Sequence, residues 1–216
     1  YFCQTVAKNT VGSTTGPVWS FTTSAAPPAD IVIYASDVSP GDLHGAWISI
    51  NNSTPSPNGI AVGTPDQGIP NANAPLASPT DYMEARFFAP AGVAYKLWIR
   101  LAAIGNSKFN DAVWVQVSEA GQGGAPYYPP GSTTGLLVNL ATDSGAASLN
   151  GWGWANGAYW LQQANSFMFS STGTHTIRIQ TREDGAFIDQ IVMSPDTYFL
   201  NPPGGPTNDS TIVPKP

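Results

Sequence analysis

The sequence is poor in the residues that build long helices and disulfide-stabilised scaffolds. Only 10% of its 216 residues are charged, and it contains one cysteine and two histidines. Long surface helices depend on many Glu and Lys residues, and a lone cysteine has no partner for an intrachain disulfide. The composition therefore argues against a helical protein and against a cysteine-rich one.

Basic residues are scarce as well, with eight Lys and Arg against fourteen Asp and Glu, which gives a formal net charge of −6. Nucleic-acid-binding domains present clustered positive charge to the phosphate backbone. No apolar run approaches the roughly 18 residues of a transmembrane helix. We therefore expect neither a nucleic-acid partner nor a membrane span. Since the chain also begins without Met or a signal segment, we interpret it as a piece of a longer protein.

Catalytic motifs are missing too. The sequence has no Gly-x-Ser-x-Gly, His-Glu-x-x-His or Walker pattern. A glycosidase needs two carboxylates that flank a cleft, and the sequence leaves that option open at Glu84, Glu119, Glu183, Asp111, Asp184 and Asp189. We predict that the chain is not an enzyme.

Glycine, proline and aromatic residues are abundant instead. The chain has 22 Gly and 20 Pro, and 11% of its residues are aromatic. Such a composition is typical of many short strands joined by turns. Strand patterns occur at residues 31–36, 46–50, 82–88, 94–101, 112–118, 136–140, 159–169, 174–180 and 187–193. The sequence predicts an all-β sandwich with a polar surface of the kind found on bacterial extracellular proteins.

Composition divides the chain into four parts. Residues 1–23 alternate as two strands around a Gly-containing loop, and residues 24–29 read as a proline-containing linker. The main sandwich is expected over residues 30–198. The remaining residues, 199–216, are expected to form a Pro/Gly-rich tail.

Alternation places two tryptophans on the polar faces of their strands. Trp98 shares a face with Lys96 and Arg100, and Trp114 shares one with Gln116. Two interpretations stay open. These aromatic, cationic and amide groups contact a sugar, or each tryptophan packs against a neighbouring stem for up to about 1 kcal/mol.

One acidic residue falls in an apolar row of the last predicted strand. Asp189 alternates there with Phe187, Ile191 and Met193. An ionised carboxylate in that row costs several kcal/mol unless it is hydrogen-bonded or bound to a cation. Ca²⁺ prefers carboxylate and carbonyl oxygens. The residues leave open a Ca²⁺ site and a hydrogen-bonded carboxylate at the rim of the sheet.

The densest aromatic cluster lies in the glycine-punctuated segment 150–160, which we expect to be a loop. Rigid rings bind ligands at low entropic cost. We therefore expect a sugar ring to stack on Trp152 or Trp154, with Asn150 or Asn156 bonding to hydroxyls. In the alternative interpretation the tryptophans plug the open end of the sandwich.

Residues 1–23 resemble the last two strands of a fibronectin type III domain. The matching residues are Tyr1, Val6, Ala7, Asn9, Gly12 and 20–23. The other five strands of that domain are absent from the chain, and two strands alone cannot bury a core. The segment is therefore either a truncation remnant or a strand pair that another chain completes.

The main domain resembles the carbohydrate-binding modules of families 6 and 35. The motifs are Tyr34-Ala-Ser-Asp37, His44-Gly-Ala-Trp47, Tyr95-x-Leu-Trp-Ile-Arg100, and a closing hairpin with Thr176-Ile-Arg-Ile and then Asp-Gly-x-x-Ile-Asp-Gln-Ile-Val. The resemblance spans roughly residues 30–198. It implies a galactose-binding-domain-like β-jelly-roll, a non-catalytic role, and attachment to a larger secreted protein that often carries fibronectin type III modules.

The resemblance also implies a sugar site in loops at one end of the sandwich. Those loops match residues 106–110 and 152–160. The predicted glycan contacts are Trp152, Trp154, Tyr159, Trp160, Asn106, Asn110 and Asp184.

Modules of these families hold a structural Ca²⁺, for which the resemblance implies Asp189 and Asp37 as ligands. The chain departs from the family pattern, because Tyr34, Ala35 and Ser36 stand where the family has Glu-Ala-Glu. Our leading hypothesis is an extracellular module that binds a glycan. The competing hypothesis is a structural subunit of an extracellular filament or surface layer that self-associates through residues 1–23.

Overall fold

The computed structural model describes residues 2–21 and 28–216. In these ranges the chain is nearly all β, with short 3-10 turns and no α-helix. No helix of the described chain is long and apolar enough to cross a membrane. The strands are β1 Phe2–Lys8, β2 Ser13–Ser20, β3 Ile31–Tyr34, β4 Leu43–His44, β5 Ile48–Asn51, β6 Ile60–Gly63, β7 Tyr82–Ala89, β8 Ala94–Ala103, β9 Ala112–Val117, β10 Ala120–Gly121, β11 Leu136–Asn139, β12 Gly153–Ala155, β13 Ser166–Phe169, β14 Gly173–Thr181 and β15 Ala186–Ser194.

Strands β3 to β15 form two antiparallel sheets. The larger sheet has the order β10-β13-β8-β15-β6-β5, with β12 also paired to β8 and β3 to β15. The smaller sheet has the order β11-β9-β14-β7-β4. One apolar cluster contains side chains of both sheets, so the sheets enclose a common core. The predicted all-β sandwich is confirmed.

Period-two alternation builds this core. From β8 the buried row is Tyr95, Leu97, Ile99 and Leu101, and it packs in one cluster with the β14 side chains Ile177 and Ile179 and with alternate valines of β9. Fully burying one such aliphatic side chain contributes about 1.5–3 kcal/mol. These are the faces opposite the ones to which alternation assigned Trp98 and Trp114, and they are the faces that form the common core.

Strand boundaries differ most where segments are short or irregular. The predicted strand 159–169 contracts to β13, because residues 159–165 form a loop. Strands β4, β6, β10 and β12 have two to four residues each, too few for a periodic signal, and were not predicted. Strand β6 ends at Gly63, where a Cβ would collide with the backbone carbonyl of Ala186, so only glycine allows this close approach.

The segment 199–216 lies against the outer face of the eight-stranded sheet. Gln190 of β15 donates from Nε2 to the Val213 carbonyl (2.6 Å), and its Oε1 accepts from the Val213 amide (3.1 Å). The Val213 side chain is buried in a cluster with Trp98 and Trp154. The segment expected as a Pro/Gly-rich tail is therefore packed onto the sandwich.

Both tryptophans of the polar faces are covered by other parts of the chain. The Trp98 indole N–H donates to the Tyr198 carbonyl (2.7 Å), and that of Trp114 donates to the Ala72 carbonyl (2.9 Å). Loops and tail, rather than Arg or Lys stems, cover these rings. Neither ring is open for stacking on a sugar.

Strands β1 and β2 form a separate antiparallel pair with Phe2 opposite Ser20. The two predicted N-terminal strands are thus present, and their resemblance to a fibronectin type III domain stays a prediction. Tyr1 and residues 22–27, which include most of the predicted linker, lie outside the described residues.

Candidate functional site

The first half of the aromatic segment 150–160 forms strand β12, which belongs to the larger sheet. Strand β12 pairs with β8 and places Trp154 opposite Arg100. Trp154 is 2% exposed and Trp152 is 9% exposed, and the Arg100 guanidinium lies 5.2 Å from the centre of the Trp152 ring system. Neither tryptophan offers a whole ring face to a sugar. Their burial fits the structural alternative better than the expected stacking role.

The second half of the loop is open. Tyr159 and Trp160 are 48% and 47% exposed. Their rings meet edge to face, with centroids 4.6 Å apart and an interplanar angle of 72°. A turn closed by the bond from the Leu161 amide to the Ala158 carbonyl (2.9 Å) carries both residues. These two predicted contact residues therefore form one exposed aromatic surface.

Two side chains that follow this pair in the sequence hold the loop in place. Gln163 accepts from the Leu137 amide (2.9 Å) and donates to the Gly135 carbonyl (2.8 Å). Asn165 donates to the Asn156 carbonyl (2.9 Å). Because these bonds fix the loop before any ligand arrives, little conformational entropy remains to be lost on binding.

The aromatic pair borders an open depression at one end of the sandwich, which we call the rim depression. Its cavity volume is about 140 Å³, below the roughly 300–1,000 Å³ of enclosed small-ligand pockets, so it can hold part of a ligand and leaves the rest in water. Aromatic and charged side chains share its lining, chiefly Tyr159, Trp160, Phe109, Lys108, Asp111 and Arg182. The arrangement combines ring faces with groups that hydrogen-bond to hydroxyls.

Two buried carboxylates contribute to this lining. Asp111 accepts from Asn139 Nδ2 (3.2 Å) and the Ala141 amide (3.0 Å), and burial raises the pKa of its carboxyl. Glu183 accepts at Oε2 from the Asp111 amide (2.9 Å) and pairs at Oε1 with Arg182. Burial lowers the pKa of Arg182. Protein donors thus hold both carboxylates in place.

The predicted polar contacts lie elsewhere. Asn106 is exposed and accepts from the Gly151 amide (2.9 Å), joining two loops. Asn110 is buried and donates to Asp66 (3.0 Å) and to the Ile104 carbonyl (3.1 Å). Asp184 is buried and accepts from the backbone amides of residues 67 and 69. None of the three lines the rim depression.

Sequence reasoning missed several lining residues. Lys108 and Phe109 lie inside the segment 106–110 that the family resemblance had indicated, yet only its asparagines were chosen. Asp111 and Glu183 had been considered among six carboxylates from which a catalytic pair could come, and not as glycan contacts. Arg182 gave no signal, since its proximity to the aromatic loop depends on long-range contacts.

Asp189 does not lie in the apolar row expected for it. The pairing of β15 with β8 shifts between Ile188 and Gln190, so Asp189 is the extra residue of a β-bulge. The bulge reverses the alternation, leaving Ile188 and Ile191 both in the core while Asp189 pairs with Arg100. Both side chains of that pair are 0% exposed.

These residues do not fit a Ca²⁺ site. The Arg100 guanidinium donates to Oδ2 of Asp189 and also to the Asp209 carbonyl (2.7 Å). Asp37 accepts from the Tyr34 amide (2.7 Å) and from Lys215 Nζ (2.5 Å). In residues 2–21 and 28–216 no group of three His, Cys, Asp or Glu side chains could hold a metal ion. The buried carboxylate of Asp189 is therefore paired with Arg100.

Burial dominates the ionisation of this pair. It raises the pKa of Asp189 to about 6, although the positive charge of Arg100 acts in the opposite direction. Burial likewise lowers the pKa of Arg100, against the attraction of Asp189 and Asp209. The pair therefore lies in an environment that disfavours charge, as expected beneath a covering segment.

No protein-family model matches the sequence, and no curated protein sequence matches it either. Solved structures do match. One is a GH26-CBM35 β-(1,4)-mannanase from Podospora anserina, with 16% identity, a TM-score of 0.44 and 82% of this chain covered. This chain spans 29% of the length of that protein.

Two other matches are separate modules. A family 35 carbohydrate-binding module from Clostridium thermocellum has 16% identity and a TM-score of 0.44, with 76% of this chain and 98% of the module covered. A carbohydrate-binding module from Cellvibrio mixtus lichenase 5A, solved with cellotriose, has 16% identity and a TM-score of 0.41, with 77% and 98% covered. Families 6 and 35 are the two that the motifs of this sequence resemble.

Proposed function

We propose that the chain is a non-catalytic carbohydrate-binding module of a larger extracellular bacterial protein, and that it binds a glycan at the rim depression. The observation that carries this proposal is the exposed pair Tyr159 and Trp160 on a pinned loop beside a polar depression. Sugar rings present C–H faces that pack on aromatic rings and hydroxyls that bond to charged and amide groups.

The groups around the pair supply both kinds of contact. Trp160 and Tyr159 offer apolar surface, and Lys108 and Arg182 offer donors near the carboxylate of Asp111. Because the depression is open and leaves part of a sugar in water, we expect modest affinity rather than tight binding.

The carboxylates support binding rather than hydrolysis. General acid and base catalysis needs a carboxyl group within reach of the scissile bond and free to exchange a proton. Glu183 is buried, and its two oxygens accept from the Asp111 amide and from Asn71 Nδ2 (3.1 Å). Residues that support the loops in this way are suited to shaping a binding surface.

A glycan array tests the proposal, with binding to any hits then measured by titration. The double variant Tyr159→Ala and Trp160→Ala is expected to weaken binding at least about tenfold, since fully burying one large apolar side chain contributes about 1.5–3 kcal/mol and two half-exposed rings are removed. Phe88→Ala removes an aromatic ring that is 64% exposed on the other sheet and serves as the matched control. A wild-type protein that binds no glycan, or a double variant that binds normally, would contradict the proposal.

A second candidate function is assembly through the N-terminal hairpin. Phe2 and Val18 lie on one face of the hairpin and Trp19 on the other, and all three are exposed. Isolated two-stranded hairpins are marginally stable, and apolar side chains on both faces favour a partner. Analytical ultracentrifugation should then show concentration-dependent association that disappears when residues 1–23 are deleted. A monomer at every concentration would refute this candidate.

A further inference from the structure

A second open depression adjoins the rim depression on the outer face of the eight-stranded sheet. We call it the outer depression, and its cavity volume is about 270 Å³. Its lining includes Trp98, Trp154, Asn156, Leu161, Gln163 and Asn165. The loop that carries the exposed aromatic pair therefore has an open concave surface on each of its two sides.

The two depressions meet at one aromatic residue. Tyr159, Asn139 and Ala141 line both of them, whereas Trp160 lines the rim depression alone. Tyr159 is half-exposed and packs edge to face on Trp160. A chain of linked sugars that stacks on Trp160 can thus continue past Tyr159 into the outer depression.

The depressions differ in chemistry. Charged side chains line the rim depression, among them Lys108, Asp111 and Arg182. The described residues that line the outer depression carry no charged side chain; they combine amides with indole and alkyl surface. Amides both donate and accept hydrogen bonds, so they suit the hydroxyls of an uncharged sugar.

One of these amides is free to bind. Gln163 and Asn165 use their side chains to pin the loop. The Asn156 side chain is half-buried and makes no hydrogen bond within residues 2–21 and 28–216. A ligand hydroxyl that binds this amide replaces water without breaking a hydrogen bond inside the protein, for a net gain of about 0.5–1.5 kcal/mol.

We propose that the outer depression is a second subsite for the same glycan, so that the ligand is an oligosaccharide that crosses Tyr159 and places an uncharged sugar unit beside Asn156. This inference rests on the proposed function, because it extends the rim depression. It narrows the substrate class to chains of several linked sugars and predicts that affinity grows with chain length.

Titration calorimetry with oligosaccharides of increasing length tests this. The probes are soluble β-linked gluco-, xylo- and manno-oligosaccharides, from the monosaccharide upward. For a series that binds, we expect affinity to rise about fivefold to tenfold beyond the disaccharide, as one hydrogen bond and some apolar contact would supply. Equal affinity for short and long members of every binding series would overturn the second subsite.

Two variants test whether the gain in affinity with oligosaccharide length comes from the outer depression. Gly157→Phe fills it, since a Cβ at Gly157 meets only Asn165 Nδ2 at 3.8 Å and the backbone there does not require glycine. Asn156→Ala removes the free amide and keeps the backbone carbonyl that Asn165 binds. Both variants are expected to lose the length-dependent gain and to bind the shortest ligand as the wild type does.

Trp160→Ala separates this inference from the proposed function. It should weaken short and long ligands by the same factor, because Trp160 lies in the rim depression only. If Trp160→Ala leaves all binding intact, the proposed function fails. If Trp160→Ala weakens binding but Gly157→Phe and Asn156→Ala, each checked for its fold by circular dichroism, keep the length-dependent gain, only the second subsite fails.

Discussion

Trp154 and Trp160 belong to the same glycine-punctuated loop, six residues apart, yet one is 2% exposed and the other 47%. Strand β12 attaches the first to β8, and Val213 of the C-terminal segment covers it. The second projects from a turn that no such segment covers. Whether an aromatic ring is available to a ligand was decided here by residues far away in sequence.

The contrast extends to charge. The covered face of the large sheet holds the buried pair Arg100 and Asp189, whereas at the rim depression Lys108 is exposed and Arg182 is partly exposed, although the carboxylates of Asp111 and Glu183 are buried. Covered groups contribute to stability, and open ones can contribute to binding. We therefore expect mutations under the C-terminal segment to lower the free energy of unfolding strongly, and mutations at the rim depression to weaken glycan binding.

The sharpest test of this division compares two tryptophan truncations. Trp154→Ala should lower the free energy of unfolding by about 3–5 kcal/mol, because it leaves a cavity in a covered cluster. Trp160→Ala should change it by less than about 0.5 kcal/mol, since half of that ring already faces water. Urea unfolding followed by circular dichroism measures both. Equal losses of unfolding free energy in the two variants would contradict the difference in burial between Trp154 and Trp160.

Arg100→Met should be nearly as damaging as Trp154→Ala. It leaves the Asp189 carboxylate buried without its partner, which costs about 3–5 kcal/mol. The double variant Arg100→Met and Asp189→Leu removes both charges and should recover most of that loss. A double variant no more stable than Arg100→Met alone would show that the two side chains do not act as a pair.

The C-terminal segment offers a milder test. Val213→Ala should cost about 1–3 kcal/mol and shift tryptophan emission to longer wavelength, as water reaches Trp98 and Trp154. Leu200→Ala is the matched control in the same segment, because Leu200 is 86% exposed. If Val213→Ala and Leu200→Ala have the same free energy of unfolding, the Val213 side chain does not protect the face of the sheet that carries Trp98 and Trp154.

Lowering the pH should increase, and not decrease, the stability that Asp189 contributes. Burial raises the pKa of Asp189 from 3.8 to about 6. Between these values the folded state binds the proton more tightly than the unfolded chain does. The contribution of Asp189 to stability is therefore fully present below about pH 4 and is lost as the pH rises to about 6.

Comparison with Asp189→Asn isolates this contribution. Relative to that variant, the wild-type free energy of unfolding should fall between about pH 4 and pH 6 and level off above it. Urea unfolding at several pH values gives the difference. A wild type that gains stability over the variant through this window would show that attraction to Arg100, rather than burial, dominates.

Calcium should have the smallest effect. Since Arg100 already occupies the Asp189 carboxylate, millimolar CaCl₂ and excess EDTA should give melting temperatures within about 1 °C of each other. Mg²⁺ at the same ionic strength is the control for general salt effects. A rise seen with Ca²⁺ alone would reveal a cation site that these side chains do not show.

The sequence predicted the sandwich well because long strands carry a strong periodic signal. The buried row from Tyr95 to Leu101 follows from the alternation of apolar residues alone. Asp189 was placed in the wrong row because a single-residue bulge reverses the pattern and leaves no mark in the sequence. Short strands such as β12 form only because β8 offers them a partner.

The candidate site was predicted in part. Tyr159 and Trp160 were chosen because the family resemblance implies a sugar site in the aromatic segment 152–160, and the structure exposes both at the rim depression. Trp152 and Trp154 carried the same signal and are buried. No local pattern distinguishes the two pairs, since burial depends on contacts with the segment 199–216.

Lys215 joins the two ends of the sandwich domain. Its side chain pairs with Asp37 and its amide donates to the Tyr34 hydroxyl (3.2 Å), so the segment 199–216 lies beside the end of β3, the first strand of the sandwich. A domain with adjacent entry and exit can be inserted into a surface loop of another protein with little disturbance of the host. Joining residues 30 and 216 by a short linker should likewise permit circular permutation, with new ends in an exposed loop away from both depressions.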